Sequence, residues 1–298
     1  MKRRLFAISC AALIFTGCKE HGTLIDFGTN STSQTSSVVS PVPSPDPHQV
    51  LVEEFTGQSC PNCPQAHAAI DAISAQNPGR VNLISLYPLS SPKPFPQCVP
   101  PTGAQYDFEE ITAENVLDGI FGNPGGLPAS GADRVSYNGS VLQLGPNGSD
   151  GIITTQLAVA SPVNIIVTSN YDLAKNVAII NATVTYTEAS STSQNLSIVV
   201  VEDNISDLQE FPGVIQKYVF MDVYRGMVTA VPAGDVLQVT KNSNAKEAGR
   251  CFKKTYAYAL PAKSPAIVPS NCRIIAFVSN ADGADKRVLQ SAQCKLMN

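Results

Sequence analysis

The chain has 298 residues, 43% of them hydrophobic and 15% charged, with a net charge of −4. That apolar fraction supports a real core and excludes wholesale disorder, and the length fits one large domain or two ordinary ones. Charged residues fall well below the roughly 25% of an average soluble domain. No basic excess is available to displace counterions from phosphates, so nucleic acid is excluded as a partner. The Ser-, Thr- and Pro-rich remainder points to an exported, β-rich protein.

The N-terminus reads as an address. Lys2, Arg3 and Arg4 precede an apolar run over residues 5–16, too short for a bilayer core of about 30 Å. Residues 1–17 are therefore a signal peptide, and Cys10 leaves with it. The segment Ile14-Phe15-Thr16-Gly17-Cys18 resembles a bacterial lipobox, with Phe15 where Leu is usual. The resemblance implies cleavage before Cys18 and a lipid on that cysteine. The alternative is an ordinary secreted protein with Cys18 free. Cleavage removes three basic residues, so the net charge becomes −4 − 3 = −7. An acidic body does not hold to an anionic membrane unaided, so the acyl chains anchor it. Lys19, in place of the Asp that retains lipoproteins at the inner membrane, implies the outer membrane. The start Cys18-Lys19-Glu20 also resembles surface-export signals, which leaves the membrane face open.

Residues 18–47 read as a lipidated N-terminus and flexible tether, because 28–47 are rich in Ser and Thr and then in alternating Pro. From Gln49 the texture changes. Residues 50–55 form an apolar strand, 57–61 a turn, 63–73 a helix with Ala66, Ala69, Ile70 and Ile73 at helical spacing, and 81–87 a second strand. Asn77-Pro78-Gly79 ends the helix. Strand, helix and strand with short connections make a βαβ unit and hence a parallel pair. A Pro-rich loop follows over 88–101, then a helix over 105–120. Strands at 129–137 and 140–144 flank Asn138-Gly139, a type I′ turn signal, and Ser149 caps a last helix. After Ser161-Pro162, short strands separated by Asn, Ser, Gly and Pro suggest a β-sandwich. The expected fold is an α/β domain over 48–161 followed by an all-β, immunoglobulin-like sandwich over 162–298.

The segment that carries chemistry is Cys60-Pro61-Asn62-Cys63, between the first strand and the first helix. Unpaired N–H groups and the helix dipole at that end favour thiolate over thiol, which makes the outer cysteine a nucleophile. The second sulfur lies close enough to resolve a mixed disulfide.

The ungapped segment from Val50 to Pro64 resembles the strand and active-site turn of thioredoxins. That resemblance implies Cys60 as nucleophile, Cys63 as resolving thiol and Glu54, six residues upstream, as a buried proton carrier. Leu127-Pro128 would be the cis-proline site that receives the substrate chain. Ser59 replaces the usual Trp, Pro61-Asn62 replaces Gly-Pro, and 88–126 holds an insertion, so no redox potential carries over. The block Glu54-Phe55-Thr56-Gly57 through Cys60, Cys63 and Pro64 is also similar to the twenty-eight-kilodalton outer-membrane protein family, whose members combine a thioredoxin-like domain with a β-sandwich. Val201-Glu202-Asp203-Asn204-Ile205 through Gln209, Tyr218, Arg225-Gly226 and Ile275-Ala276-Phe277-Val278 resemble that family's second-domain signature. The family's activity is poorly defined and implies no substrate.

Other residues weigh against alternatives. Cys60, Cys63 and His67 offer three soft ligands, but a closed zinc site needs a fourth, so no metal and no cofactor is expected and His67 reads as a packed helix histidine. His21 and His48 fall in the tether and carry no signal. Glu53 and Glu54 face opposite sides of their strand, and on a central strand one of them is buried. Cys272 and Cys294 each lie 11 residues from Gly283, so a cross-strand bridge about an Asp282-Gly283 turn is expected. That leaves Cys98 with Cys251, or Cys98 as a third redox thiol. Metal delivery is a third alternative beside two main functions. One is thiol–disulfide exchange on the thiols or disulfides of exported proteins. The other is cell-surface binding or adhesion, with Cys60–Cys63 as an inert structural disulfide.

Overall fold

The computed structural model describes residues 31–91, 95–240, 243–263 and 266–297. The signal peptide and Cys18 lie outside the described residues. The fold is β-rich, with mixed sheets and few helices.

The expected βαβ unit forms. β2 (Val50–Phe55) and β3 (Val81–Leu86) run parallel with Val50 opposite Val81 and Phe55 opposite Leu86. α1 (Cys63–Gln76) connects them. Both strands are buried along their whole length, as near-continuous apolar runs covered on two faces should be. β4 (Ala129–Ala132) pairs antiparallel on the other side of β2, and β5 (Gln143–Leu144) pairs with β4. Asn138 and Gly139 both adopt positive φ (51° and 86°), and Tyr137 bridges Ser140, as a type I′ turn requires. The strands about it are shorter than expected, because Asp133 and Arg134 also take positive φ and turn the chain out of β4.

α3 (Asp150–Gln156) follows Ser149. It packs with α1 on one sheet face, where Val50, Val52, Ile70, Leu83, Ile152 and Ile153 meet. The helix expected over 105–120 is shorter. α2 (Ile111–Val116) continues only as a wide turn over Leu117–Phe121. Residues before it stay extended because the Asp207 carboxylate accepts the N–H groups of Gln105 and Tyr106. α2 covers the opposite sheet face through Ala113 and Val116.

The second half supplies β6 (Val163–Asp172), β7 (Val177–Tyr186), β8 (Gln194–Glu202), β9 (Ile205–Phe211), β10 (Val214–Phe220), β11 (Val223–Met227), β12 (Asp235–Val236), β13 (Arg250–Ala259), β14 (Cys272–Asn280) and β15 (Val288–Lys295). β10 and β11 are separated at Asp222, which takes a φ of 58°. Among the described residues the strands form two facing sheets and a separate β9–β10 hairpin. The larger sheet runs β15-β14-β8-β11-β3-β2-β4-β5, with β12 against β8. The smaller runs β1-β13-β7-β6, where β1 is Ser31–Val38.

Two consequences differ from the sequence reading. First, the sheet of the initial βαβ unit continues into the second half, because β11 adds to β3 in parallel at Val223–Ser85. β8 and β14 accordingly bury both faces. Ile198, Val200, Ile274 and Ala276 face the smaller sheet, while Val199, Val201, Ile275 and Phe277 join the cluster under α2. Second, part of the expected tether is structured. β1 pairs antiparallel with β13 from Ser31–Ala257 to Val38–Arg250. Ser and Thr side chains serve an edge strand well, and the neighbouring strand supplies the hydrogen bonds that a tether lacks. His48 is buried too, with Nε2 2.7 Å from Oδ2 of Asp133, so it is a structural residue and not part of a spacer.

Candidate functional site

The turn after β2 delivers Cys60 and Cys63 to the N-terminus of α1, where they form a disulfide (S–S 2.12 Å, Cα–Cα 5.4 Å). Both are buried, at 1% and 2% exposure. The reason lies in what covers the turn. From β9, Gln209 Nε2 donates to the carbonyls of Cys60 (3.0 Å) and Gly57 (3.3 Å), and the Glu210 N–H donates to Gln58 O at 2.8 Å. From the inserted loop, Gln97 O accepts the Ser59 N–H at 2.8 Å, and Ser59 Oγ donates to Val99 O at 2.7 Å. Gly57 is required there, since a Cβ would stand 2.3 Å from Gln97 O.

An ionisable cluster lies alongside. Glu54, fully buried on β2, accepts at Oε2 from Ser85 Oγ (3.3 Å) and lies 3.0 Å from His67 Nδ1. His67 Nε2 faces Oδ2 of Asp71 at 3.7 Å, one turn along α1, and Oδ2 of Asp222 at 3.6 Å. Burial alone would lower the pKa of His67. The Glu54 hydrogen bond and charge, with Asp222 and Asp71, outweigh it and push the imidazole up to about 9. Burial pushes Asp222 up to about 6, against the pull of Arg273 and His67. Arg273 on β14 binds Asp222 Oδ1 and holds Asp203 at 2.7 and 2.9 Å. A small cavity connects the two features, lined by Cys63, His67, Thr56, Tyr87, Gln209 and Tyr218. Burial pushes the Tyr218 phenol up to about 12.

The remaining expected site residues divide. The Leu127–Pro128 bond is cis and Pro128 is buried. Because Ala129 pairs with Phe55, Pro128 sits at the end of the sheet from which the Cys60 turn leaves. Neither Leu127 nor Pro128 lines the cavity beside Cys63. Glu53 and Glu54 face opposite sides as expected, but both are buried, since β2 is covered on both faces. Glu53 is neutralised by a two-pronged bond to Arg134 at 2.7 and 2.8 Å.

Neither additional disulfide forms, and Cys98, Cys251, Cys272 and Cys294 are free thiols. The β14–β15 register is not centred on Gly283. Cys294 stands opposite Ile274, while Cys272 O accepts from the Leu296 N–H. Cys98 packs in the cluster under α2, its Sγ 3.5 Å from Thr56 O, whereas Cys251 lies on β13 opposite Thr185 in the other sheet. Cys98 is no poised redox thiol either, because burial and nearby carboxylates push its pKa far up.

Sequence reasoning missed Asp71, Asp222 and Arg273 at the cluster, and the His48–Asp133 and Glu53–Arg134 pairs. Asp71 has a signal, since it is four residues after His67 on a helix. The others are joined only by long-range strand pairing. The second-domain signature does converge here: Gln209 clamps the Cys60 turn and Tyr218 lines the cavity, while Arg225 pairs with buried Glu202 at 2.9 Å behind β11.

Comparison with known proteins places this architecture. No curated protein matches the chain. Among solved structures, HBP35 of Porphyromonas gingivalis superposes with a TM-score of 0.62 at 16% identity, over 84% of this chain and 75% of that one. This likeness shows a shared fold. A domain of the outer membrane lipoprotein Omp28 from the same organism also matches, at 16% identity and a TM-score of 0.31, over 46% of this chain and 89% of its own. The family model for outer membrane protein Omp28 matches residues 123–298, more than half of the chain. The chain is an outer-membrane protein and belongs to the Omp28 family.

Proposed function

We propose that the protein is anchored to the outer membrane by a lipid on Cys18, and that its first half is a thioredoxin-like unit that exchanges the Cys60–Cys63 disulfide with thiols of exported proteins. The second half is read as a sandwich that shares one sheet with the first. The observation that carries the exchange reading is the disulfide at the N-terminus of α1, beside buried Glu54, which His67 holds in place and which would take and return a proton. In the reduced protein, Cys60 thiolate attacks a substrate disulfide, forms a mixed disulfide and expels one substrate thiolate. Cys63, its proton passed toward Glu54, then attacks the Cys60 sulfur. The Cys60–Cys63 bond reforms and the second substrate thiolate leaves. Pro128 at the same sheet end would align the substrate backbone.

One observation favours a second reading. Both sulfurs are closed off by the protein's own hairpin and loop, which suits a binding module braced by an inert disulfide. Titration of the full mature chain with dithiothreitol, followed by alkylation, separates the two. Exchange requires that Cys60 become alkylatable while the protein stays folded. It also requires that insulin reduction be lost in Cys60→Ser. A disulfide that yields only on unfolding supports the inert reading.

A further inference from the structure

We propose that His67, Asp71 and Asp222 form a binding site for a divalent transition-metal cation of the zinc type. The site does not depend on the exchange reading, since Cys60 and Cys63 are bonded to each other and supply no ligand.

Three observations converge. Nε2 of His67 and one carboxylate oxygen each of Asp71 and Asp222 lie within 4.8 Å of one another. Zinc binds such donors at about 2.0–2.2 Å, so tetrahedral neighbours stand about 3.3–3.6 Å apart. The observed 3.6 and 3.7 Å need only small side-chain adjustments. They are too long for hydrogen bonds, and His67 Nε2 has no hydrogen-bond partner although His67 is only 8% exposed. A buried imidazole nitrogen aimed between two carboxylates, and hydrogen-bonded to neither, is a donor set that a cation can draw together.

The surroundings fit the same reading. Glu54 Oε2 holds the other ring nitrogen at 3.0 Å. A carboxylate behind a ligating histidine fixes its tautomer and ring orientation and raises its basicity. Arg273 occupies Oδ1 of Asp222, which fixes the carboxylate and turns Oδ2 to the site. Four carboxylates, Glu54, Asp71, Asp203 and Asp222, outnumber the two cationic side chains Arg273 and His67, so the site favours a dication. The Asp71 side chain is 56% exposed and gives the ion an entry path and a place for water as a fourth ligand. One imidazole with two carboxylates suits a borderline cation better than a soft thiolate-seeking one.

The test is calorimetric titration of the full mature, oxidised, metal-stripped chain with Zn2+, with Co2+ absorption as a second readout. The expected result is one equivalent bound, with weak tetrahedral Co2+ bands and no intense thiolate-to-metal band. Asp222→Asn and His67→Gln should each weaken binding at least about 10-fold, and Glu54→Gln about 10- to 100-fold. Asp71→Asn, at an exposed position that leaves the fold intact, should weaken it as well. No stoichiometric uptake, uptake undiminished in Asp71→Asn, or a thiolate band would each overturn the proposal.

Discussion

Gln209 donates its side-chain amide to the carbonyl of Cys60 at 3.0 Å, across 149 residues of sequence. One side chain of the second half thus holds the disulfide turn of the first half closed. The same nitrogen reaches Gly57 O and Glu210 O, so its loss frees three carbonyls at once.

Gln209→Ala should therefore loosen the cover without unfolding the sheet. A hydrogen bond contributes about 1 kcal/mol, so opening should become about 5- to 10-fold more frequent. Dithiothreitol should reduce Cys60–Cys63 faster by that factor, as read by timed alkylation and mass spectrometry. An unchanged rate would mean that the loop around Gln97 alone controls access.

Arg134 is the buried partner of Glu53 and stacks over Phe277 with its guanidinium carbon 5.0 Å from the ring centroid. Arg134→Met should lower the unfolding free energy by about 3–5 kcal/mol, because Glu53 is left as an unpaired buried charge. Replacing both residues by Met should recover much of that loss. Urea denaturation of the two variants checks the difference.

Lys246 is buried over the Tyr186 ring and donates to Thr192 O and Asn244 O. Burial pushes its ammonium down to about 8, partly countered by Asp282. The folded protein thus releases this proton more readily than the unfolded chain does. The contribution to stability is fully present above the ordinary lysine range and is lost as pH falls through about 8. Stability should rise from about pH 8 upward relative to Lys246→Met, whose curve should lack that rise. Thermal melts of both between pH 7 and 10 measure it.

Burial pushes the Cys272 thiol up to about 12 and the Cys294 thiol up to about 11. At neutral pH neither these nor Cys98 should react with a thiol reagent in the folded protein. Denaturation without reductant should expose Cys98, Cys251, Cys272 and Cys294 as four free thiols. Recovery of fewer would restore the cross-strand bridge read from the sequence.

The local parts of the fold are legible in the sequence because local chemistry dictates them. Asn138-Gly139 specifies its turn through two positive φ angles, and the β-branched and apolar start of β2, Val50-Leu51-Val52, specifies a strand. Cys60 and Cys63 are identified by their place between strand and helix. What the sequence hides is pairing over distance. Nothing near Val223 announces a parallel partner at Ser85, and nothing in a Ser/Thr run announces β13. The same limit conceals Asp222 and Gln209, whose partners His67 and Cys60 lie more than a hundred residues earlier, on α1 and the turn before it. The structural role of His48 is hidden for a related reason, since its partner Asp133 lies 85 residues away.

The pairing of β1 with β13 sets an order of events for the newly exported chain. Ser31–Val38 lies more than two hundred residues before its hydrogen-bonding partner, residues 250–257. Gln49 likewise waits for Ser291 and Gln290, 242 and 241 residues later. The N-terminal strand therefore cannot be seated until nearly the whole polypeptide is available. Such distant pairing slows folding and prolongs the exposure of unpaired strands.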